Sequence, residues 1–441
     1  MLPVRFCNYN LDYQQRLGFL KLLAWVAEGV RGGKEELLRK LESIYSPAAV
    51  IGKPSKKYAA AGRRPPSAPH LKGTFDPDVL LRQDEIPSWQ PGFSFQRLDR
   101  LVLWGEMVGL VTTNGRLSEW SKPLVIDRQT STPQQSSIGN PFLLSKRDRA
   151  FFLLVLIYHD HALLHLISIL AQQDSGTCVD SRRACIATID ALGRTLDAAT
   201  GGTNIEAVRA RQALRDLLER LANMENSVHK GSLLNPEERS RVLHQIATSK
   251  TRNHLAEYHA VCRFEQLADL GLLVKEDPAH KPRTSADRLR ARTTWSWYIT
   301  DGLKAAGALI SASRNDVETY LQEHWATSSL AETTDLLILD PSRDQAEIAR
   351  FLDEALPRAS RQFGAIQVHT WVFIAALDAI VAGKALEFSA AYALLDAMRK
   401  DSRYSTYLRQ SGQESYLGRT ASLIGGSMAD YVSRYPLEIR R

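Results

Sequence analysis

Apolar residues recur at intervals of three and four along most of the chain, and the segments that break this rhythm are short. Leu17, Leu20, Leu22, Leu23, Val26 and Val30 predict a first helix, and Gly32-Gly33 separates it from a second over 34–44. From Ser46 to Thr74 the rhythm dissolves into Pro, Gly, Ala and Ser. A short helix is predicted over 76–86 and a turn over 87–92. A longer helix then runs to Met107, with Ser94 as its N-cap and Phe95, Leu98, Leu101, Val102 and Trp104 inward. Val108-Gly109 ends it, and two strands, 110–112 and 116–120, flank the hairpin signal Asn114-Gly115.

After a polar Ser/Thr/Gln/Pro linker (129–142), helices are predicted over 146–173, 179–198, 204–223 and 235–246, forming a central bundle. Asn235-Pro236-Glu237-Glu238 places a cap, a first-turn Pro and first-turn acids together, a clear helix start. A polar turn (248–252) leads to a further helix with Leu255, Tyr258, Val261, Phe264, Leu267 and Leu270 inward. It closes on Leu270-Gly271-Leu272-Leu273-Val274, close to the earlier Val108-Gly109-Leu110-Val111 ending. A basic stretch, 275–292, and an alternating strand, 293–299, follow. Beyond lie helices over 301–313, 315–325, 342–361, 368–381 and 386–398, a strand-like 336–339, and 403–407 with 415–419 as candidate paired strands around Gly412.

The order of short helix, turn, longer helix and two-stranded wing, twice ended by the same Gly-centred motif, resembles the winged helix-turn-helix superfamily over 76–126 and 235–300. The resemblance implies a second helix lying in the major groove and a wing resting on phosphates. It equally describes protein–protein adaptors. The expected fold class is mainly α: two or three winged-helix modules with small β-hairpin wings around a central helical bundle.

Composition bounds this picture. With 441 residues the chain exceeds one ordinary core, and the expected division is 1–128, 143–230, 231–313 and 314–441. Cys7, Cys178, Cys185 and Cys262 are too scattered for a disulfide framework, which points to a reducing cytoplasm. No secretory leader is read at the N-terminus, and the apolar run 150–157 is broken by Tyr-His-Asp-His, so no membrane span is expected. The net charge of +7 is modest, but it is unevenly placed. Lys53, Lys56, Lys57, Arg63, Arg64 and Lys72 lie in a stretch without a carboxylate, as an arm following a polyanion would. Lys281, Arg283, Arg288, Arg290 and Arg292 form a basic wing. In an extended strand the last three project to one side, about 6.6 Å apart, near the phosphate spacing of a nucleic-acid strand. Trp295 and Trp297 share a face directed at the module's own core.

On the second predicted reading helix Asn253, His254, Glu257, His259 and Arg263 are expected outward; on the first, Gln96, Arg97, Asp99 and Arg100. Asp99 between the two arginines disfavours DNA there. Catalytic signatures are missing: no carboxylate-x-Lys, no GxxxxGK[ST], no GxSxG and no HExxH occurs. His161 and His165, four apart, could share a zinc ion, but their apolar helix favours core histidines. The sequence thus predicts a non-catalytic DNA-binding subunit of a prokaryotic DNA-processing or genome-defence assembly. Its expected partners are double-stranded DNA, other subunits and a second copy of the chain; no cofactor and no metal is expected. Two alternatives stand: a kleisin-like protein–protein scaffold of an ATPase complex, using the apolar 150–170 region and the Trp-rich strands, and a nuclease using a carboxylate such as Asp335 or Asp340.

Overall fold

The computed structural model describes residues 4–9, 16–45, 95–118, 121, 124–125, 144–199, 205–223, 231–248, 254–276, 296–325, 336–360, 365–399, 410–411, 414–415 and 431–433. Among these residues the fold is mainly helical, with 14 helices and short strands.

Helices α1 (Leu17–Ala27), α2 (Lys34–Tyr45) and α3 (Phe95–Met107) pack together near the N-terminus. α1 is apolar except for Lys21, which pairs with Asp148, and is buried along its whole length. Leu98, Leu101, Val102 and Trp104 of α3 are buried, as their spacing predicts. α3 ends at Gly109, whose φ of 70° is a left-handed cap open to glycine at little cost. The hairpin follows over 110–118. Thr112 N–H donates to Arg116 O (2.8 Å), Gly115 N–H donates to Thr112 O (2.7 Å), and Val111 pairs with Leu117. The short helix predicted over 76–86 lies outside the described residues.

The central part begins with α4 (Lys146–His159) and α5 (His161–Leu170). The sequence predicts one helix here. The structure has two, turning through 108° at Asp160, a fully buried residue with φ −136°. Then come β1 (Cys178–Asp180), α6 (Ser181–Ala198), α7 (Ile205–Asn223), α8 (Pro236–Thr248) and α9 (His254–Asp269). β2 (Leu273–Glu276) and β3 (Ser296–Ile299) complete this part. α9 ends, like α3, on a glycine of positive φ, Gly271 at 79°. β3 is the middle strand of an antiparallel sheet of order β1-β3-β2. β1 occupies what the sequence reads as the start of a helix. Because β1 pairs with β3 and α6 packs on α9, residues 143–230 and 231–313 share one sheet and one core rather than dividing at 230.

The C-terminal part contains α10 (Asp301–Ala312), α11 (Val317–Glu323), β4 (Leu337–Ile338), α12 (Gln345–Ser360), β5 (Ala365–Gln367), α13 (Val368–Val381), β6 (Lys384–Ala385) and α14 (Phe388–Arg399). The fragments β7 (Gln410–Ser411), β8 (Glu414–Ser415) and β9 (Tyr431–Ser433) follow. β4 pairs in parallel with β6, whereas β5 with β9 and β7 with β8 pair antiparallel. α10 lies on α5, and α13 reaches α4 through a stack of Phe373 on Tyr158, 4.0 Å between centroids. β7 and β8 pair Gln410 with Ser415 and Ser411 with Glu414, whereas Gly412, 403–407 and 416–419 lie outside the described residues. Among the described residues no single helix is long and apolar enough to cross a membrane, and the bent pair α4–α5 is buried in the chain's own core.

Candidate nucleic-acid interface

The site is best built from the sheet. Glu276 of β2 pairs with Ser296 of β3, and Ser296 with Asp180 of β1, so these three residues form one end row. At that row β2 leaves toward Lys281, Arg283, Arg288, Arg290 and Arg292, and β3 returns from them. β1 also exits there, directly into the first turn of α6, which carries Arg182 and Arg183. Asp180 caps α6 by accepting from Arg183 N–H (2.8 Å). The Arg183 guanidinium, exposed, donates to Cys178 O (3.1 Å); Arg182 donates to Ile246 O (2.8 Å). The second bond brings the C-terminal end of α8 to the same place. At the other end of α6, Arg239 of α8 forks onto Asp197, so the two helices run antiparallel. A Cβ at Gly193 would overlap that guanidinium, which explains the glycine. The opposite end of the sheet is acidic at its surface, with Asp174 and Asp301 exposed beside Gly176 and Ile299.

Arg182 and Arg183 were not foreseen as site residues, yet a signal existed. Cations in the first helical turn oppose the helix dipole, so two of them together do not serve helix stability. Of the predicted residues, Lys53, Lys56, Lys57, Arg63, Arg64, Lys72, Asn253, Lys281, Arg283, Arg288, Arg290 and Arg292 lie outside the described residues. His254 opens α9, with only its backbone described.

Arg263 is a correction. It is fully buried, forking onto Asp160 (Nε to Oδ2 2.9 Å, Nη2 to Oδ1 3.0 Å) and donating also to the carbonyls of Cys7 and His259. Its plane lies over the Tyr9 ring at 4.9 Å. His259, also expected outward, is equally enclosed, and burial, reinforced by Arg263 and Arg220, holds its imidazole neutral. The physical reason is the N-terminal segment. Cys7 N–H donates to Asp160, Tyr9 bonds Gln266, and Arg16 bridges Asp269 (2.7 Å) and Glu265 (3.2 Å), which Lys275 also meets. From Leu255 to Leu270 no residue of α9 is exposed. A buried guanidinium with its donors spent on the protein cannot reach a phosphate or a base. α9 as the major-groove reader is therefore set aside.

On α3, Asp99 is exposed, and Lys34 bridges it (3.6 Å) and Glu106 (3.2 Å), an acidic face. The side chains of Gln96 and Arg97 are not described. Trp297 is buried on Phe264, as expected, and residues 150–170 are buried within the chain apart from half-buried His159 and Ile169. Of the surfaces assigned to partner proteins in the scaffold alternative, the 150–170 region and Trp297 are thus internal. Trp295 lies outside the described residues, as does Asp335; Asp340 accepts from Ser342 N–H (2.7 Å) and Oγ–H, a local turn. His161 and His165 are buried core histidines, and among the described residues no three His, Cys, Asp or Glu side chains gather as a metal set. No family model, curated protein or solved structure matches this chain.

Proposed function

We propose that this chain is a non-catalytic DNA-binding subunit of a larger DNA-processing assembly, holding duplex phosphates at the basic end of its three-stranded sheet. The observation that carries the proposal is the Glu276–Ser296 register: it brings the two ends of the connection 277–295, which bears five cations and two aspartates, to the first turn of α6, where Arg182 and Arg183 stand. Guanidinium forks suit phosphate oxygens, and their attraction is independent of base identity. The succession α5, β1, α6, α9, β2, β3, with sheet order β1-β3-β2, supports a winged-helix reading of this part. On that reading α6 and α9 form the helical pair, α7 and α8 are an insertion, and the β2–β3 connection is the wing.

The test is duplex binding titrated with salt, using the triple variant Arg288→Ala, Arg290→Ala, Arg292→Ala. Each lost phosphate contact removes about 0.9 from the slope of log K against log salt, so the slope flattens by nearly three. An unchanged affinity and slope would overturn the proposal.

A further inference from the structure

Resting on the DNA-binding proposal, we infer that α8, and not α9, is the helix that enters the major groove. An element that reads base edges needs an exposed polar face at least two turns long, free of acids, beside the phosphate contacts. α9 fails because none of its side chains from Leu255 on is exposed, and α3 because its face carries Asp99 and Glu106. The outer face of α12 pairs Arg350 with Glu347 and Glu354, and α7 ties Gln212 to Asp216.

α8 meets the requirement. Val242, Leu243 and Ile246 turn inward with Arg239, while Arg241, His244, Gln245 and Thr248 are exposed at the i, i+3, i+4, i+7 spacing of one helical face. No acid lies on that stretch; Glu237 and Glu238 sit at the helix start, the end remote from Arg182. Glutamine and arginine carry the paired donors and acceptors that fit adenine and guanine edges. The C-terminal end of a helix would repel phosphate through its dipole, but here Arg182 donates to the carbonyl of Ile246 and Thr248 Oγ–H to that of Gln245 (3.0 Å). The polar face is therefore continuous with Arg182 and Arg183 at the end row of the sheet, where Asp180 also lies, and the occupant it fits is a duplex held there by its phosphates.

The experiment uses the full chain and a pool of duplexes randomised over twelve or so base pairs, sequenced before and after binding. Wild type enriches a subset. The double variant His244→Ala, Gln245→Ala, altered only at exposed positions, loses that enrichment and binds the enriched duplex about ten- to a hundredfold more weakly. Its salt slope stays within about one of wild type, since neither position is a lysine or arginine and the phosphate-facing cations are untouched. A melting curve establishes that the variant is folded. Enrichment that survives in the variant, or a wild type that binds every duplex equally, overturns the placement of α8 while the DNA-binding proposal stands. Failure of the wild type to bind any duplex overturns that proposal, and the inference with it.

Discussion

Arg263 shows how much one charged side chain can mislead at the scale of a residue. Its neighbours in sequence are Cys262 and Phe264, both fully buried, and no described side chain of α9 is exposed. That is the pattern of a helix enclosed on all sides, and a charge within it needs a partner. The partner, Asp160, lies 103 positions away, so its presence is invisible to local spacing. Removing one member of such a pair leaves the other buried and uncompensated, which costs about 3–5 kcal/mol. Arg263→Ala should lower the denaturation midpoint accordingly; a DNA contact would instead leave stability unchanged and weaken binding. The buried histidines give a second expectation. Burial first, then Arg5 and His165, bring His161 down to about 3; burial and Arg194 bring His165 to about 4, against Asp197 and Asp316. The unfolded chain takes up these protons near pH 6.5, while the folded chain refuses them until pH 4 or below. Stability is therefore complete above pH 6.5 and is lost on acidification, by about 2 kcal/mol per histidine at pH 5. Thermal melts between pH 7 and 5 should show the decline, and His161→Asn with His165→Gln should remove these two residues' share of it, leaving that of buried His159 and His259.

Elements were legible where their boundaries are chemical. Gly109 and Gly271 end α3 and α9 with positive φ, Asn235-Pro236 starts α8 within a residue of expectation, and Thr112 to Arg116 turns as a hairpin. In each case a residue type with one conformational role marks the spot. Two boundaries were not legible. β1 has three residues, too few for alternation to show, and Val179 fits the helical rhythm that follows. Its strand character comes from pairing with Trp297, which lies 118 positions on. The break between α4 and α5 has no Gly or Pro; the backbone departs at Asp160, whose carboxylate is needed by Arg263 and by the N–H of Cys7. A lone acid inside an apolar run was the available sign. The same logic applies to the candidate interface. The wing cations stand out as a run, whereas Arg182 and Arg183 gain meaning only from the strand that delivers them, and the exposed face of α8 only once α9 is seen to be covered.

For the whole molecule, the composition predicts separate units meeting near 230, whereas the packing crosses that point. Cutting there would strip β1 of β3 and α6 of α9, uncovering Val179, Leu192 and neighbours that are now fully buried. The same cut would deprive Arg263 of Asp160 and Arg239 of Asp197. Each lost contact is worth little against the entropy of ordering a chain, but a fragment loses them all together, and a marginally stable fold does not tolerate that. Two fragments, 1–230 and 231–441, should each lack a cooperative melt when purified alone. Mixed, they should regain one, with the fluorescence of buried Trp297 and the helical circular dichroism changing at the same temperature. A cooperative melt of 231–441 by itself would mean that α9, β2 and β3 hold a core without α6 and β1. The sheet would then be a seam between two units, and the row at its end would be an interface between them before it could be a surface for DNA.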